Sequence, residues 1–300
     1  SVNGFIMSNM TRINHDEYIP GLRDLCRVIE EEGSIPAIQL VHGGRQAIPT
    51  DDAKELVAPS PIPCPVRQIV PRELSVEEIE RIEDDFVDGT VRAKKAGAKM
   101  VELHGAHGYL INQFFSNWSN KRTDKYGGSL ENRTRIVGNI MTKARMAVGL
   151  DYPIGIRISA AEYTENGLTL AESKEIAKIL EGYGVDYIHV SAGVAASRDA
   201  RNKAMASGEV VDMAKGIKEV VNVPIISVGK ILDMERAEAI LQQKRSDLVA
   251  MGRALVADPD LVRKVRDNLP EPINQCVECD ECAYFLHNKP YMTCSVNPNL

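Results

Sequence analysis

Six short, nearly continuous apolar runs alternate with longer segments of helical periodicity along this 300-residue chain. Apolar runs of this length are typical of parallel strands that are buried on both faces. The predicted strands cover residues 35–42, 99–105, 153–160, 186–192, 224–230 and 247–254. Because strands alternate with helices, the pattern predicts βαβ units, a parallel sheet and therefore an α/β fold.

The helix between the first two predicted strands has clear start and stop signals. Ser75 is followed three residues later by Glu78, which is the spacing of a capping box, and Gly97 marks the end of the helical pattern. Similar apolar periodicity predicts further helices over residues 132–148, 170–182, 208–220 and 233–243.

Two α/β architectures compete, an open doubly wound sheet and a (β/α)8 TIM barrel. No G-x-G-x-x-G motif follows an early strand, which argues against a dinucleotide-binding sheet. A barrel builds its active site from the C-terminal ends of several strands, and polar residues gather there in this chain. They are Gln39, His42, His104, His107, Arg157, Ser159, Ser191, Gly229, Lys230, Gly252 and Arg253. We therefore predict the barrel.

The strand count is short of the eight that a barrel needs. Residues 59–74 form a proline-rich stretch that is predicted as a loop rather than as missed strands. The chain begins with Ser rather than Met, and too few residues precede the first predicted strand to hold two more. We therefore expect a barrel over residues 1–270 that lacks its first two strands in this chain, followed by a cysteine-rich segment over 271–300.

Composition excludes several classes of protein. The formal net charge is −6 and no basic run occurs, so a nucleic-acid surface is not expected. No apolar run is long enough to span a membrane, which takes about 18 residues. The first residues lack the basic flank and apolar core of a signal peptide. These features predict a cytoplasmic protein without nucleic-acid or membrane partners.

The cysteines are unevenly placed along the chain. Cys26 and Cys64 stand alone, whereas the others lie together near the end as Cys276, Cys279, Cys282 and Cys294. Such spacing in a long chain predicts a metal centre in a reducing compartment rather than disulfides. Four thiolates select zinc or iron–sulfur, and spacing alone leaves that choice open.

Two histidines and a tyrosine follow one predicted strand within six residues. Neutral imidazoles at His104 and His107 can donate hydrogen bonds to one developing oxyanion, and the phenol of Tyr109 can deliver a proton. The residues alone also allow a zinc pair or hydrogen-bonded core histidines.

The segment around these residues closely resembles the signature of the old yellow enzyme family of flavin oxidoreductases. The cysteines and the following CSVNP resemble its iron–sulfur branch, with 2,4-dienoyl-CoA reductase, 2-enoate reductase, bile-acid 7-dehydroxylation reductases and trimethylamine dehydrogenase. The resemblance covers essentially the whole chain. Its motifs are the signature (104–135), QLVHGGR (39–45), IRIS (156–159), SVGK (227–230), MGRALVADP (251–259) and CSVNP (294–298).

The resemblance implies a role for each matching residue. Gln39 and Arg157 would contact the flavin of FMN, and its phosphate would be held by Gly229, Lys230, Gly252 and Arg253. The substrate carbonyl would bind His104 and His107, with Tyr109 as proton donor. The four clustered cysteines would hold a 4Fe-4S cluster.

The implied activity is that of an NAD(P)H:flavin oxidoreductase acting as an ene-reductase. Hydride would pass from FMN to an enone or enoyl thioester, with electrons arriving from NAD(P)H through the cluster. Members of this branch continue into an FAD and NAD(P)H-binding domain, which we expect to be absent from this chain.

Departures from the family pattern keep other readings open. The loop after the fourth predicted strand, residues 191–202, lacks the second catalytic histidine of dienoyl-CoA reductases. The cysteine spacing is nearer that of the amine dehydrogenases, but Trp118 is the only tryptophan for an aromatic cage. The alternatives are an amine dehydrogenase that passes electrons from FMN to the cluster, and a non-catalytic fragment with an incomplete flavin site. An apolar patch at the edge of the missing strands would favour a homo-oligomer.

Overall fold

A computed structural model describes residues 4–7, 10–49, 55–283 and 291–300. The strands in this part of the chain are β1 (Ala37–Leu40), β2 (Val57–Ala58), β3 (Arg72–Glu73), β4 (Met100–Gly105), β5 (Ile154–Ser159), β6 (Ile188–Ser191), β7 (Ile225–Val228) and β8 (Leu248–Ala250). The helices are α1 (Ile19–Glu31), α2 (Val76–Lys95), α3 (Leu110–Phe115), α4 (Leu130–Val148), α5 (Leu170–Gly182), α6 (Arg198–Ser207), α7 (Glu209–Lys218), α8 (Met234–Gln242), α9 (Arg253–Ala257) and α10 (Leu261–Arg266).

The main sheet has six parallel strands in the order β1-β4-β5-β6-β7-β8. All six predicted strands are confirmed, each shorter than predicted, and the first and last are at most half the predicted length. Every strand lies beside the next one in the chain, so the strand order never reverses. A doubly wound sheet reverses at a switch point, whereas a barrel wall does not. The topology therefore favours the barrel-type winding; its completion by two further strands stays a prediction.

The predicted helices are confirmed as α2, α4, α5, α7 and α8. At the start of α2, Ser75 Oγ accepts a hydrogen bond from Glu78 N at 3.2 Å, and Glu78 Oε2 accepts one from Ser75 N at 2.8 Å. This is the capping box that the sequence predicts. Gly97 follows the end of α2 with φ +93°, a conformation that favours glycine.

The proline-rich stretch differs in detail from the predicted loop. The two-residue strands β2 and β3 pair in parallel at its ends, with Val57 opposite Arg72. They lie outside the main sheet, so they are not the missing barrel strands. The Arg72 guanidinium donates to Glu55 at 2.7 Å and to both oxygens of Glu78 at 2.8 Å, which ties this excursion to the first turn of α2. Strands of two residues carry too little hydrophobic pattern for the sequence to predict this pairing.

The hydrophobic core lies between the sheet and its helices. In β4, Val101 and Leu103 are fully buried in the core, whereas Glu102 and His104 point to the opposite face. Burying each such large apolar side chain contributes about 1.5–3 kcal/mol. The sheet therefore has one face that stabilises the fold and another that is free to carry polar groups. No helix in the described ranges is long and apolar enough to cross a membrane.

The segment over residues 271–300 is tied to the body that carries the sheet. Asn274 N donates to Asp258 Oδ2 at 2.9 Å, and Asn297 Nδ2 donates to the Val256 carbonyl at 2.9 Å. Both partners lie at or just after α9. These bonds hold the cysteine segment beside the C-terminal end of β8. The division into two domains stays a prediction.

Candidate active site

A row of polar side chains crosses the second face of the sheet. The register places Gln39 opposite Glu102, and Arg157 between His104 and His189. Gln39 Nε2 donates to Glu102 Oε1 at 2.5 Å, and His189 Nδ1 lies 3.1 Å from Glu102 Oε2. Burial favours a neutral Glu102, but the hydrogen bonds from His189 and Gln39 outweigh it and hold the pKa of Glu102 below its usual value. An anionic carboxylate therefore lies within the row.

Arg157 is the cation of this row. Its Nε is buried and has no hydrogen-bond partner among the described residues. Burial lowers its pKa, although nearby Glu102 opposes the shift. An arginine stays charged under any physiological condition, and a buried donor without a partner costs about 1–3 kcal/mol. An electron-rich ligand edge would satisfy this donor, so Arg157 and the amide of Gln39 fit the pyrimidine edge of a flavin.

His104 is a neutral hydrogen-bond donor at the end of β4. Its Nδ1 accepts a bond from Ala106 N at 3.3 Å. Burial, with the Arg157 cation nearby, lowers the pKa of His104 to about 3. At neutral pH the ring therefore carries one proton, which must sit on Nε2. Nε2–H is the group that His104 can offer to a ligand.

His107 is held in place from several sides. Its backbone N–H donates to Ser159 Oγ at 2.9 Å, and its Nε2 lies 2.8 Å from Ser191 Oγ. The Gln46 amide donates to its carbonyl at 2.8 Å. Burial holds the pKa of His107 well below its usual range. The residue has φ +61°, a conformation that non-glycine residues seldom adopt and that is enriched at functional sites.

Tyr109 completes a cluster of three rings. Its ring stands edge-on to that of His104, with centroids 4.8 Å apart, and the His104 and His107 centroids are 5.1 Å apart. Burial raises the pKa of Tyr109, although the cations Arg67 and Arg201 oppose this. The phenol is therefore protonated at neutral pH. Its hydroxyl bonds to no described residue, which leaves the proton available to a ligand.

A cavity of about 1350 Å³ opens beside these rings. Its wall combines the loop after β4, residues 64–69, the start of α6 and the cysteine segment. The lining residues are Ile6, Met7, Gln46, Cys64, Val66, Arg67, Ile69, His107, Tyr109, Ala195, Arg198, Arg201, Cys279, Asp280, Glu281 and Ala283. The predicted proton donor and one predicted cluster ligand thus share one cavity.

Gln39 lies apart from that cavity. It lines a smaller one of about 90 Å³ together with His42, next to α2. His42 is buried, accepts a bond from Gly44 N at 3.1 Å, and has its pKa lowered by burial to about 3. The structure therefore links Gln39 to the other site residues through Glu102 rather than through the large cavity.

The predicted phosphate-binding residues meet at the ends of β7 and β8, but their cations are already paired. Lys230 Nζ lies 3.0 Å from Glu278 Oε2, and Arg253 Nη2 lies 3.3 Å from Glu278 Oε1. Arg253 Nη1 donates to Asp280 Oδ1 at 2.7 Å. Gly229, with φ +140°, and Gly252 precede these cations, and nothing lies within 4 Å of the position that a Cβ would take on Gly252, so its backbone is open to close approach. Carboxylates of the cysteine segment occupy the position where a phosphate is expected.

The four clustered cysteines are free thiols. Among the described residues, no three or more His, Cys, Asp or Glu side chains are grouped so that they could hold a metal ion. Cys279 Sγ lies 3.0 Å from Ser295 Oγ. Burial raises the pKa of Cys282, and Cys276 and Cys294 are close enough to raise it further. Cys276 and Cys294 are therefore each near Cys282. The donor set suits iron or zinc, and the cluster stays a prediction.

Several groups of this site were not predicted from sequence. Glu102 and His189 lie inside apolar strand runs and belong to no motif, and Arg67 comes from the proline-rich excursion whereas Arg198 and Arg201 come from α6. Glu278 and Asp280 lie between the clustered cysteines in the sequence, and these two acidic residues are the sequence signal for the carboxylates of this site. Trp118 packs on Arg45, whose guanidinium carbon lies 4.3 Å from the ring centroid, and it is not in the described cavity wall.

Comparison with known proteins identifies the family. Residues 1–272 match the model of the NADH:flavin oxidoreductase / NADH oxidase family. An NADH oxidase from Thermoanaerobacter brockii is 44% identical over 292 residues, which cover 96% of this chain and 45% of that protein. This confirms the predicted family; the iron–sulfur branch stays a prediction.

Solved structures agree in fold. A 2-naphthoyl-CoA reductase in complex with 2-naphthoyl-CoA superposes with a TM-score of 0.91 at 30% identity, covering 99% of this chain and 48% of that one. A histamine dehydrogenase from Rhizobium sp. 4-9 superposes with a TM-score of 0.85 at 28% identity, covering 95% and 42%. The chain thus spans about half the length of these relatives.

Proposed function

Because the chain belongs to the NADH:flavin oxidoreductase / NADH oxidase family, we propose that it reduces a carbon–carbon double bond conjugated to a carbonyl, using FMN. One observation carries this proposal: two neutral imidazoles and a protonated phenol pack together beside one large cavity. This set can hold a carbonyl oxygen and deliver one proton. FMN, when bound, supplies the hydride.

The residues that would hold FMN lie on adjacent strands. Arg157 and Gln39 would meet the flavin ring, and a fixed cation there would stabilise negative charge on a reduced flavin. Gly229, Lys230, Gly252 and Arg253 would hold the phosphate once Glu278 and Asp280 give way. Support comes from the unsatisfied Nε of Arg157 and from the two cations at the strand ends.

His104 and His107 would bind the substrate carbonyl oxygen. His104 offers Nε2–H, and His107 is oriented by Ser159 and Ser191. Because both rings are neutral, each donates a hydrogen bond without giving up its proton. Such donors stabilise charge that develops on the oxygen as the β-carbon is attacked, and losing one typically costs about 100-fold or more in rate.

Tyr109 would protonate the α-carbon. Its raised pKa keeps the phenol protonated until charge develops on the substrate. The overall change adds one hydride to the β-carbon and one proton to the α-carbon, leaving a saturated carbonyl product and a phenolate that regains its proton from solvent. General acid catalysis of this kind contributes about 10²- to 10⁴-fold.

Cys276, Cys279, Cys282 and Cys294 are proposed to hold a 4Fe-4S cluster that relays electrons from NAD(P)H. Four thiolates supply the ligand set of such a cluster. Cys279 lines the same cavity as Tyr109, which supports a position beside the reacting centre. The test is metal and sulfide analysis of protein purified in air and of protein purified anaerobically. Zinc without iron or acid-labile sulfide in both preparations would remove this relay from the proposal.

An amine dehydrogenase is the second candidate, because a histamine dehydrogenase shares the fold. The cavity wall argues against it. Arg67, Arg198 and Arg201 line the cavity and form no ion pair with a described residue. A cationic amine would therefore be repelled on the side of the cavity where Tyr109 would act. Reduction of a neutral or anionic carbonyl compound agrees better with the positive charge of these arginines.

The experiment reduces the FMN-loaded chain anaerobically with dithionite and mixes it with cinnamaldehyde. Reoxidation of the flavin absorbance together with the saturated aldehyde is the expected result. Oxidation of histamine with an artificial acceptor, without reoxidation by the enal, would favour the amine dehydrogenase. A chain of the expected intact mass that retains no FMN would favour the non-catalytic reading.

A further inference from the structure

We infer that Arg67, Arg198 and Arg201 form an anion-binding site beside Tyr109, and that the unsaturated substrate carries a negatively charged group there. This inference rests on the proposed function and narrows its substrate class. We call the three residues the arginine cluster. They come from the proline-rich excursion and from α6, two parts of the chain that both line the cavity.

The arginine cluster forms no ion pair in the part of the chain that the structure describes, whereas most other arginines of the chain do. Arg67 and Arg198 are exposed at the cavity wall, and Arg201 is half-buried. Like charges that gather around a cavity without a partner raise the free energy of the empty site, and an anion lowers it.

Arg201 is the member of the cluster that affects the pKa of both Tyr109 and His107. Its Nε is buried with no hydrogen-bond partner among the described residues. Burial and the neighbouring Arg198 lower its pKa, while Tyr109 opposes the shift. Arg201 in turn contributes to the lowered pKa of His107. A bidentate carboxylate or phosphate would satisfy this guanidinium.

The fold makes room for the Arg201 side chain. A Cβ placed on Gly193 would lie 2.8 Å from Arg201 Cβ and 2.9 Å from Cδ. Gly193 also has φ +79°, which favours glycine. The loop after β6 can therefore approach Arg201 closely only with glycine at this position. Arg201 occupies a built site rather than a chance surface position.

The acidic residues of the cavity lie on the cysteine segment. Asp280 is paired with Arg253, and Glu281 follows it. Neither appears among the groups that shift the pKa of Tyr109 or Arg201. The charge is therefore divided, with cations beside the proton donor and carboxylates beside the thiols. An anionic substrate would bind on the tyrosine side.

Two sources of negative charge fit this site, the carboxylate of an unsaturated acid and the nucleotide phosphates of an enoyl thioester. The test compares cinnamate, cinnamoyl-CoA and neutral cinnamaldehyde, which share one ring and one alkene. Dissociation constants come from perturbation of the oxidised flavin spectrum, and KM and kcat from the dithionite-reduced enzyme. The variants are Arg201→Gln, Arg67→Gln and Arg198→Gln. Lys203→Gln, which removes an exposed charge from α6 outside the described cavity wall, is the control.

Arg201→Gln should weaken binding of an anionic ligand by about 10- to 100-fold, the range for a lost charge-assisted bond, and change cinnamaldehyde KM by less than about 3-fold. Arg201→Lys should restore part of the loss, which separates charge from folding. Weaker binding of cinnamate in the variants identifies a carboxylate site. Weaker binding of cinnamoyl-CoA alone in Arg67→Gln and Arg198→Gln identifies a phosphate site.

Equal effects on charged and neutral ligands, or an equal effect of Lys203→Gln, would overturn the arginine cluster while leaving the proposed function intact. Failure of the unmodified enzyme to reduce any of the three compounds would instead overturn the proposed function.

Discussion

His107 Nε2 lies 2.8 Å from Ser191 Oγ, so the loop after β4 is bonded to the last residue of β6. The two residues are 84 positions apart, and the parallel register of β4, β5 and β6 brings them together. A ring that projects from a loop is thereby held as firmly as one that projects from a strand. Such support is what keeps a catalytic hydrogen bond in its productive geometry.

Ser191→Ala should loosen the His107 ring without removing it. A neutral hydrogen bond contributes about 0.5–1.5 kcal/mol, so KM for cinnamaldehyde should rise about 3- to 10-fold. Steady-state kinetics with the reduced enzyme measure this. In the His107→Ala background the serine change should have almost no further effect, since its partner is gone. Full additivity of the two changes would show that Ser191 acts by another route.

Tyr109→Phe should slow alkene reduction by about 10²- to 10⁴-fold and leave flavin reduction unchanged. The two half-reactions are measured separately by stopped-flow absorbance. Tyr183→Phe is the matched control, because its hydroxyl contacts Thr134 Oγ1 at 3.3 Å in the helical layer. An equal slowing of both half-reactions would remove Tyr109 from its role as proton donor.

Much of this arrangement could be predicted from sequence, because the informative residues are close together in the chain. His104 lies at the end of β4 and His107 and Tyr109 follow within five residues, so their proximity follows from local geometry. Glu102 could not be identified as a site residue, because a search for continuous apolar runs gives no information about an acidic residue on the polar face of a strand. Arg201 and Arg67 could not be placed beside Tyr109, because their meeting depends on how α6 and the proline-rich excursion pack at the cavity.

Glu83 should be a main determinant of stability. Its side chain is fully buried and joins α2 to α4, accepting bonds from the Tyr126 hydroxyl at 2.9 Å, Asn139 Nδ2 at 2.8 Å and Lys143 Nζ at 3.1 Å. Glu83→Leu leaves these donors without their partner and should lower the free energy of unfolding by about 2–4 kcal/mol. Urea denaturation measures the loss.

The control for Glu83 is a surface acid on another helix. Glu175→Gln breaks an exposed pair with Lys178 and should change the free energy of unfolding by less than about 0.5 kcal/mol. Equal losses in the two variants would mean that the buried network does not contribute beyond an ordinary surface contact.

His104 should make the fold sensitive to acid. Its folded pKa of about 3 lies below the usual value of 6.5, so the unfolded chain binds the proton first. Stability from the neutral ring is fully present above about pH 6.5 and is lost as the pH falls toward 3. Between pH 7 and 5 one such histidine removes about 2 kcal/mol from the free energy of unfolding.

Between pH 7 and pH 5 the free energy of unfolding of His104→Gln should therefore fall by about 2 kcal/mol less than that of the unmodified chain. Urea titrations at the two pH values give this difference, and His15→Gln, an exposed histidine, serves as the control. An identical pH dependence of the His104 variant and the unmodified chain would show that folding does not shift the pKa of His104.

Glu278 should compete with the phosphate of FMN. It bridges Lys230 and Arg253, and both ion pairs must open before these cations can bind a phosphate dianion. Partly exposed pairs contribute at most about 1 kcal/mol each, so Glu278→Gln should tighten FMN binding about 3- to 10-fold. Quenching of flavin fluorescence on titration of flavin-free protein measures the dissociation constant. Glu271→Gln, in the same segment but before the cysteines, should leave it unchanged. Weaker binding in the Glu278 variant would mean that this carboxylate orients the two cations for phosphate, and the cysteine segment would then be part of the flavin site.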